Sequence, residues 1–481
     1  MAQKEIRKTR IKKLKKIEKS GINSYPSSFE KPKKIKNVLS AFKNGKRVIV
    51  AGRIRTLRLH GGSLFLDIDD STGMIQLFLR KNILKERYVF FKENIDIGDF
   101  ILFKGKLFIT KKREKTVDVL DYKILSKSLL PLPEKWHGLK DIEERFRKRY
   151  LDLIMSREVK EKFILRSKII FEIRKFLDKK GFLEVETPVL QTIYGGASAE
   201  PFRTHHRVFD LDLFLRIAPE LYLKRLLVGG FDKVYEIGRV FRNEGIDRFH
   251  NPEFTTLEFY WAYTNLEEMM KFCETMIKEV VKKVLKKDKI ICQGKEIDFS
   301  KPFKRVYFYQ LIESKIKKDP RKLKDKDIIK IAKNLKVPTL NKTRFKLLDD
   351  IFKKVCKEKI FQPTFVLYSP IELTPLAKSK EDDSSLASRF QLVIGDWETM
   401  NAFSELNNPI EQRKRFEYQR KEKKKGDKEA HPFDEDFIEA LEYGMPPAVG
   451  CGMGIDRLVA LITNSKSIKE VILFPLMRSL D

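Results

Sequence analysis

The sequence predicts an α+β protein: a small five-stranded β-barrel followed by a larger domain of sheet and helices. Three observations lead there. Residues 47–127 hold five short runs with the two-residue alternation of strands, punctuated by Gly61-Gly62, the turn Asp70–Gly73 and Gly98-Asp99. From residue 157 to Lys180 the apolar positions change to helical spacing, in Phe163, Ile169, Ile170, Ile173, Phe176 and Leu177. Residues 235–263, YEIGRVFRNEGIDRFHNPEFTTLEFYWAY, then read as two strands joined by a charged loop too long for a tight turn.

The 481 residues suffice for two or three domains with well-buried cores. Lys and Arg number 100 against 68 Asp and Glu, a formal charge of +32. Such an excess favours a polyanionic partner, through phosphate neutralisation and counterion release. A lysine-rich surface that merely stays solvated has the same composition, and the spread of charge along the chain leaves both readings open. Cys273, Cys292, Cys356 and Cys451 form no C-x-x-C pair and no group at metal-ligand spacing, so reduced, mostly core-filling thiols are expected. The N-terminus lacks the apolar run of a signal peptide, and no apolar run is long enough to cross a bilayer. The expectation is a soluble cytoplasmic protein with no membrane partner.

Residues 1–46 form a basic extension. A helix over Lys4–Lys19 carries a thin apolar stripe, Ile6, Leu14 and Ile17, and Gly21 ends it before Pro26 and Pro32. Beside so much positive charge the stripe suits a nucleic-acid-facing helix, with a solvated arm as the alternative. The barrel occupies residues 47–128: strands Arg47–Leu59, Ser63–Asp69 and Met74–Arg80, a helix over Asn82–Lys92, then strands Phe100–Thr110 and Thr116–Leu125. That order, β-β-β-α-β-β, suits an OB-fold. In the second strand Leu64, Leu66 and Ile68 point one way, and Phe65, Asp67 and Asp69 the other. Arg53 and Gln76 lie on the polar sides of their strands, so Arg53, Phe65 and Gln76 can be displayed together. They would offer a ring for a base to stack on, a cation for phosphate and an amide to read a base edge. Phe65 packed beneath a linker is the alternative that pattern alone leaves standing.

Residues 129–156 are a linker: the stiff connector LLPLP, then a charged helical piece over Trp136–Tyr150. The large domain runs over residues 157–481. Its first helix stops at Gly181, placed as a C′ glycine, and a strand over Phe182–Glu186 stops at Pro188. Gly195-Gly196 marks a flexible loop before Pro201–His206, and a helix starts near Pro219 with Glu220 in its first turn. Beyond the hairpin the chain is helical to about Lys287, and residues 311–360 read as an insertion of two or three helices divided by Pro320 and Pro338. Sheet returns at Gln391–Leu406, where Asn401, Phe403 and Glu405 share a face. Arg413–Glu429 is a charged surface helix. Pro446–Ser465 is a glycine-rich strand running into a helix; its glycines let a ligand approach the backbone, and Arg457 stands near the helix start.

Within the hairpin, alternation puts Glu236, Gly238, Val240, Arg242 and Glu244 on one face of the first strand, and Phe254, Thr256, Glu258 and Tyr260 on one face of the second. Pairing gathers Arg242, Glu244, Phe254, Glu258 and Tyr260 over one surface, while Ile237 and Phe241 mark the packed side. Charged residues are seldom buried without partners. The set suits a ligand with anionic, aromatic and cationic parts; an ordinary solvated hairpin is the bland alternative.

Six segments carry a closer resemblance. They are GFLEVETPVLQ (181–191), YGGASAEPFRTHH (194–206), RIAPELYLKRLLVGGFDKVYEIGRVFRNEG (216–245), HNPEFTTLEFYWAY (250–263), NAFSELN (401–407) and GMGIDRLVALITNSKSIKEVILFP (452–475). Together and in this order they resemble the class II lysyl-tRNA synthetases, over nearly the whole chain from the OB-like region onward. The resemblance implies a class II catalytic domain, a six- to seven-stranded antiparallel sheet flanked by helices and holding ATP. It also implies a homodimer built through residues 160–190, and a barrel reading the anticodon of tRNA(Lys) through Arg53, Phe65 and Gln76. In the implied reaction the lysine carboxylate attacks the α-phosphorus of ATP and releases pyrophosphate; the tRNA 3′-terminal ribose hydroxyl then takes the lysyl group.

By the family pattern Arg242 bridges the lysine carboxylate and the α-phosphate, where a fixed cation stabilises the transition state. Glu244 accepts from the adenine amine, Phe254 stacks under adenine with Arg457 above it and near the γ-phosphate, and His250 touches the polyphosphate. Glu220 takes the α-ammonium of lysine; Glu405, helped by Glu258 and Tyr260, takes the ε-ammonium; Asn401 and Phe403 line the pocket. Magnesium is expected with ATP. Glu398 matches a metal ligand of the family, whereas the position of a second acid, seven residues earlier, holds Gln391. Glu200 stands where the family often has a basic residue. Aspartyl and asparaginyl synthetases share the barrel and motifs, but their pockets want a cation in place of Glu405 and Glu258. A protein-lysylating paralogue would lack the barrel, and a non-catalytic tRNA-binding paralogue would have eroded Arg242, Glu244 or Arg457.

Overall fold

The computed structural model describes residues 3–133, 141–340, 342–424 and 432–479. The chain divides into two compact units, residues 1–139 and 140–481.

The first unit begins with helix α1 (Gln3–Lys19) and holds strands β1 (Arg47–His60), β2 (Ser63–Asp69), β3 (Met74–Arg80), β4 (Phe100–Ile109) and β5 (Lys115–Ser126). They pair in the order β1-β2-β3-β5-β4, and β4 pairs again with β1. The result is a five-stranded OB-like sheet around Val50, Ile54, Leu64, Leu66, Ile68 and Leu77, all without solvent exposure. The alternation in β2 is the one the sequence shows. The helix after β3 is broken into Lys81–Leu84 and Glu86–Asn94, because Lys85 between them has a φ of 50°. Helix α1 is docked on this unit, not a solvated arm. Ile17 is buried, and Arg10 donates from Nη1 to the Ser128 and Leu130 carbonyls and from Nη2 to that of Ile97. Lys13 and Lys16 pair with Asp96 and Glu93. A stripe too thin to hold a helix by apolar burial is thus completed by charged groups that each meet an acceptor. Lys4, Lys8, Lys12 and Lys15 remain exposed on its other side.

In the second unit the central sheet has eight strands. Their order is Lys304–Tyr307, Thr364–Leu367, Arg389–Ile394, Trp397–Ser404, Ala448–Gly454, Glu253–Ala262, Lys233–Phe241 and Leu183–Glu184. The six inner strands are antiparallel, as the resemblance implies, but each edge adds a strand in parallel. Parallel neighbours need long crossovers. Here the three-helix insertion joins one edge pair, and residues 185–232 join the other. The strand expected over Phe182–Glu186 is accordingly a two-residue edge piece.

The sheet's rear face packs Tyr235, Leu257, Phe259, Met400, Cys451 and Met453 against two helices, Arg157–Lys179 and Leu266–Leu285. The first is capped by Ser156, whose side chain accepts from Val159 N at 3.3 Å. Gly181, at φ +80°, reverses the chain after it. The insertion forms helices Phe308–Ile316, Asp325–Asn334 and Arg344–Val355, which share a small core with Val366 and Val393 of the sheet. The linker helix expected over Trp136–Tyr150 lies partly outside the described residues; its described part belongs to two short helices, Ile142–Arg147 and Arg149–Met155. The surface helix spans Pro409–Lys424, and the rest of its expected range, to Glu429, also lies outside. Among the described residues no helix is long and apolar enough to cross a membrane.

Candidate active site

Strand register composes the front face of the large sheet. Glu236 pairs with Glu258, Glu258 with Gly452, Gly452 with Asn401, and Asn401 with Gln391. The adjacent row is Val234, Tyr260, Gly450, Phe403 and Arg389. The hairpin faces are therefore those read from alternation, and Asn401 and Phe403 join them from a strand far away in sequence.

One acid of this face is already engaged. Arg216 pairs with Glu236 deep in the protein, passing beside Gly238, and Thr187 donates to Glu236 Oε2 from its hydroxyl at 2.7 Å. A buried ion pair that loses one member costs about 3–5 kcal/mol, so Glu236 is a structural residue. Glu258, Glu220 and Glu405 are the carboxylates left to meet a ligand.

Glu220 opens the helix Glu220–Val228. The loop expected to be flexible lies against it: Gly196 has a φ of +84°, and a Cβ there would stand 2.7 Å from Glu220 Cβ. Glu405 follows the strand Trp397–Ser404 and has no solvent exposure. Between the two acids stands Lys224, which nothing in the sequence singles out as a site residue. Its Nζ donates to Glu220 Oε1 at 2.6 Å and pairs with Glu405 Oε2. The Glu220–Lys224 spacing of four on a helix is a readable signal; the link to Glu405 is not. Burial opposes the charge on Lys224, but Glu220 and Glu405 outweigh it and raise its pKa. Burial pushes the Glu405 carboxyl well above its usual range, with Lys224 pulling it back. Burial likewise lifts Glu258, to about 8, aided by Glu220 and opposed by Arg242. The Tyr260 hydroxyl donates to Glu258 Oε2 at 3.2 Å. Gly450 sits under this corner, where a Cβ would run into Glu405 Oε1 and the Tyr260 ring. Asn401 is held by Arg389, whose Nε donates to its Oδ1 at 2.7 Å while Nη1 reaches the Ser369 and Thr374 hydroxyls. Arg389, too, carries no mark of this role in the sequence.

At the other end of the face Arg242 lies with its guanidinium 5.2 Å from the centre of the Phe254 ring. Arg457 donates from Nη1 to the Glu398 carbonyl at 3.0 Å, and its Nη2 lies 3.2 Å from His250 Nε2. His250 Nδ1 meets the Asp247 carboxylate at 2.9 Å. A cavity of about 530 Å³ at the hairpin tip is lined by Glu200, Glu244, Asp247 and His250 among others, so Glu200 and Glu244 face one space. Burial would lift the Glu398 carboxyl, but Lys357, Arg457, Arg389 and Lys353 hold it below its usual value. A bulge separates Glu398, opposite Val393, from Gln391, opposite Asn401. Among the described residues no three His, Cys, Asp or Glu form a group that could hold a metal ion.

On the OB-like sheet, Phe65 stacks on Phe78, ring centres 4.5 Å apart. Gln76 stands opposite Asp67 and accepts from the Thr116 hydroxyl at 2.9 Å. Arg53 stands opposite Asp69, over the Phe100 ring at 4.3 Å. The three share the outer face, but Asp69 is four residues from Phe65, roughly 13 Å along a strand. The cation in the row of Phe65 is Arg58.

Comparison with known proteins bears on this constellation. Residues 141–478 match the family model described as tRNA synthetases class II (D, K and N), and residues 48–125 match the OB-fold nucleic acid binding domain. Similar curated proteins include the lysine–tRNA ligase of Aquifex aeolicus, 51% identical over 449 residues, 92% of this chain and 75% of that protein. That of Carboxydothermus hydrogenoformans is 50% identical over 482 residues, 99% of each chain. That of Thermosipho africanus is 45% identical over 487 residues, 99% of this chain and 97% of that protein.

Proposed function

The chain belongs to the class II lysyl-tRNA synthetases, and from that premise we propose how its pocket divides the work. The protein is a lysine–tRNA ligase: it activates L-lysine with ATP and transfers the lysyl group to tRNA(Lys). ATP, lysine and tRNA(Lys) are its substrates.

Arg242 bridges the lysine carboxylate and the α-phosphate of ATP. As the carboxylate attacks in line and pyrophosphate departs, negative charge grows there, and a guanidinium with two parallel donors meets it. Glu244 accepts from the adenine amine, Phe254 and Arg457 flank the base, and Arg457 and His250 hold the phosphate tail. The attacking carboxylate is already ionised, so the step needs no general base; positioning and charge suffice. Glu220 takes the α-ammonium, Glu405 with Glu258 and Tyr260 the ε-ammonium, and Asn401 and Phe403 line the stem.

The observation that carries this reading is the ammonium of Lys224, buried between Glu220 and Glu405. This corner of the pocket already stabilises an alkylammonium. An aspartyl or asparaginyl pocket needs a cation left over for the substrate, and here the buried lysine is matched to two carboxylates. The intact Arg242, Glu244 and Arg457 speak against a non-catalytic tRNA-binding paralogue. ATP–pyrophosphate exchange across the amino acids tests the assignment: exchange with lysine is expected, and exchange with aspartate but not lysine would overturn it.

Magnesium arriving with ATP would rest on Glu398, with the amide oxygen of Gln391 as a second, uncharged ligand. One carboxylate beside substrate phosphates is a normal share for this ion, so the residues fit an ion that comes with ATP better than one held by the protein alone. Such an ion neutralises phosphate charge when bound.

The remaining assignments extend the same reading. The ring of strand pairings supports a closed OB barrel over residues 47–128, between a basic extension, 1–46, and a linker, 129–156, that leads into a catalytic domain over 157–481. Its outer face, with Arg53, Phe65 and Gln76, reads the anticodon. Phe171, 61% exposed, and Leu183, 49% exposed, support a homodimer through residues 160–190, testable by sedimentation. The compartment is the cytoplasm.

A further inference from the structure

We infer that Lys224 is a resident counter-ion of the lysine pocket: it holds Glu220 and one oxygen of Glu405 and confines the incoming ammonium to the second oxygen of Glu405. That makes it a positioning and specificity-determining residue. The inference rests on the assignment of Glu405 to the substrate ε-ammonium.

The geometry supplies the first argument. Lys224 has no solvent exposure, and its Nζ spans Glu220 Oε1 at 2.6 Å and Glu405 Oε2. The rings of Phe403 and Phe437 stand 5.5 and 5.9 Å from the same nitrogen. Two acids and two aromatic rings thus surround this ammonium. The Oε1 atom of Glu405 is buried with no hydrogen-bond partner among the described residues, and it lies toward Gly450, beside the Tyr260 ring.

Charge supplies the second. Glu220 comes from the helix of Lys224 itself, Glu405 from the end of the Trp397–Ser404 strand, and Glu258 and Tyr260 from the second hairpin strand; Glu220 and Glu258 both raise the Glu405 carboxyl, and Glu220 raises Glu258. The helix Glu435–Glu442 faces the ammonium with the Phe437 ring. Glu236 is taken by Arg216, and Arg242 acts on Glu258 from one side of the pocket as well as on Glu244 and Glu398, leaving Lys224 as the cation between Glu220 and Glu405. Three buried carboxylates without a local cation would share protons instead of ionising together. A protonated Glu405 is a poor partner for an ammonium and a tolerable one for a neutral side chain. Lys224 opposes that protonation, pulling the Glu220 and Glu405 carboxyls down against burial, so its loss leaves a less anionic pocket that discriminates less against a neutral side chain.

The test uses ATP–pyrophosphate exchange with lysine varied at saturating ATP, from about pH 6.5 to about pH 9. Because the Glu258 carboxyl, lifted to about 8, titrates inside this range, the quantity read is the ratio of variant to wild-type KM for lysine at each pH. In Lys224→Met it should rise about tenfold or more at the acid end and fall as the pH rises, since the freed carboxyls ionise on the way up. The KM for ATP should stay within about threefold, and exchange with norleucine should gain relative to lysine. A merely structural lysine predicts otherwise: a lower melting temperature, kcat lost with both substrates, and a flat KM ratio. That result, or a Lys224→Met enzyme with wild-type lysine kinetics, overturns the inference. If Lys224→Met does not fold, Lys224→Gln takes its place in the same comparison: a lysine KM ratio to wild type that grows toward acid pH supports the inference, and a ratio that does not change with pH overturns it. Glu405→Gln separates the two levels. If it leaves the lysine KM unchanged, the pocket assignment fails; if it raises KM while Lys224→Met does not, the inference about Lys224 fails alone.

Discussion

Replacing Gly450 with alanine adds one methyl group where the lysine pocket has no room for it. The backbone at this position does not need glycine, since its φ is not in the left-handed region; the constraint is space. The new Cβ would overlap Glu405 Oε1 and the near edge of the Tyr260 ring, with Tyr260 Cδ1 at 2.8 Å. Ordinary contact begins near 3.4 Å, so a ring wedged on the sheet, a fully buried carboxylate, or both must move. Overpacking of this kind costs about 1–3 kcal/mol, and the displaced atom is the one proposed to receive the substrate ammonium. At about 1.4 kcal/mol per decade, the KM for lysine in pyrophosphate exchange should rise roughly five- to hundredfold. The KM for ATP should change little, because Arg242, Glu244 and Phe254 lie at the other end of the face. Gly452→Ala is the contrast on the same strand: its nearest atom would be 3.8 Å away, so the melting temperature should hold. A Gly450→Ala enzyme with wild-type lysine KM, or one that loses ATP and lysine affinity equally, would refute the reasoning.

Other consequences can be checked in the same assays. Arg242→Ala should lower the exchange kcat by about 10²–10³, the scale of one lost transition-state donor, without lowering the melting temperature; a loss under tenfold would remove it from the chemistry. Burial lifts the Glu258 carboxyl to about 8, against about 4.3 in an unfolded chain. A raised carboxyl favours the folded state while protonated, so this contribution is complete below about pH 4 and fades as the pH climbs toward 8. The ligand-free protein should therefore lose melting temperature between about pH 5 and about pH 8 more steeply than Glu258→Gln; parallel curves would contradict it. Phe65→Ala should weaken tRNA(Lys) charging by the roughly 1–3 kcal/mol of a stacked base while exchange is unchanged, and equal loss of both would end the anticodon role. Glu236→Gln breaks a buried ion pair with Arg216, so its main effect should be a lower melting temperature, and an unchanged one would argue against a structural role.

Whatever depends on near neighbours could be read along the chain. Alternation in Leu64, Phe65 and Leu66, and in Glu258 and Tyr260, predicted which face each side chain takes, because strand geometry repeats every two residues regardless of context. Helical spacing predicted the helix Arg157–Lys179 and its glycine stop, and proline positions divided the insertion into two or three helices, of which the fold forms three. The long exact runs named the family before any coordinate did. The chain could not announce which charges meet. Glu236 and Glu258 look alike on one sheet face, yet Arg216 crosses beside Gly238 to claim the first and leaves the second. Arg53 and Phe65 share a face but not a row, since register, not alternation, sets the distance along a strand. Lys224 looked like one more surface lysine among 100 basic residues; only the fold carries Glu405 to it across most of the large domain. Local backbone periodicity is written residue by residue, whereas electrostatic partnership depends on distances that exist only once distant strands have paired.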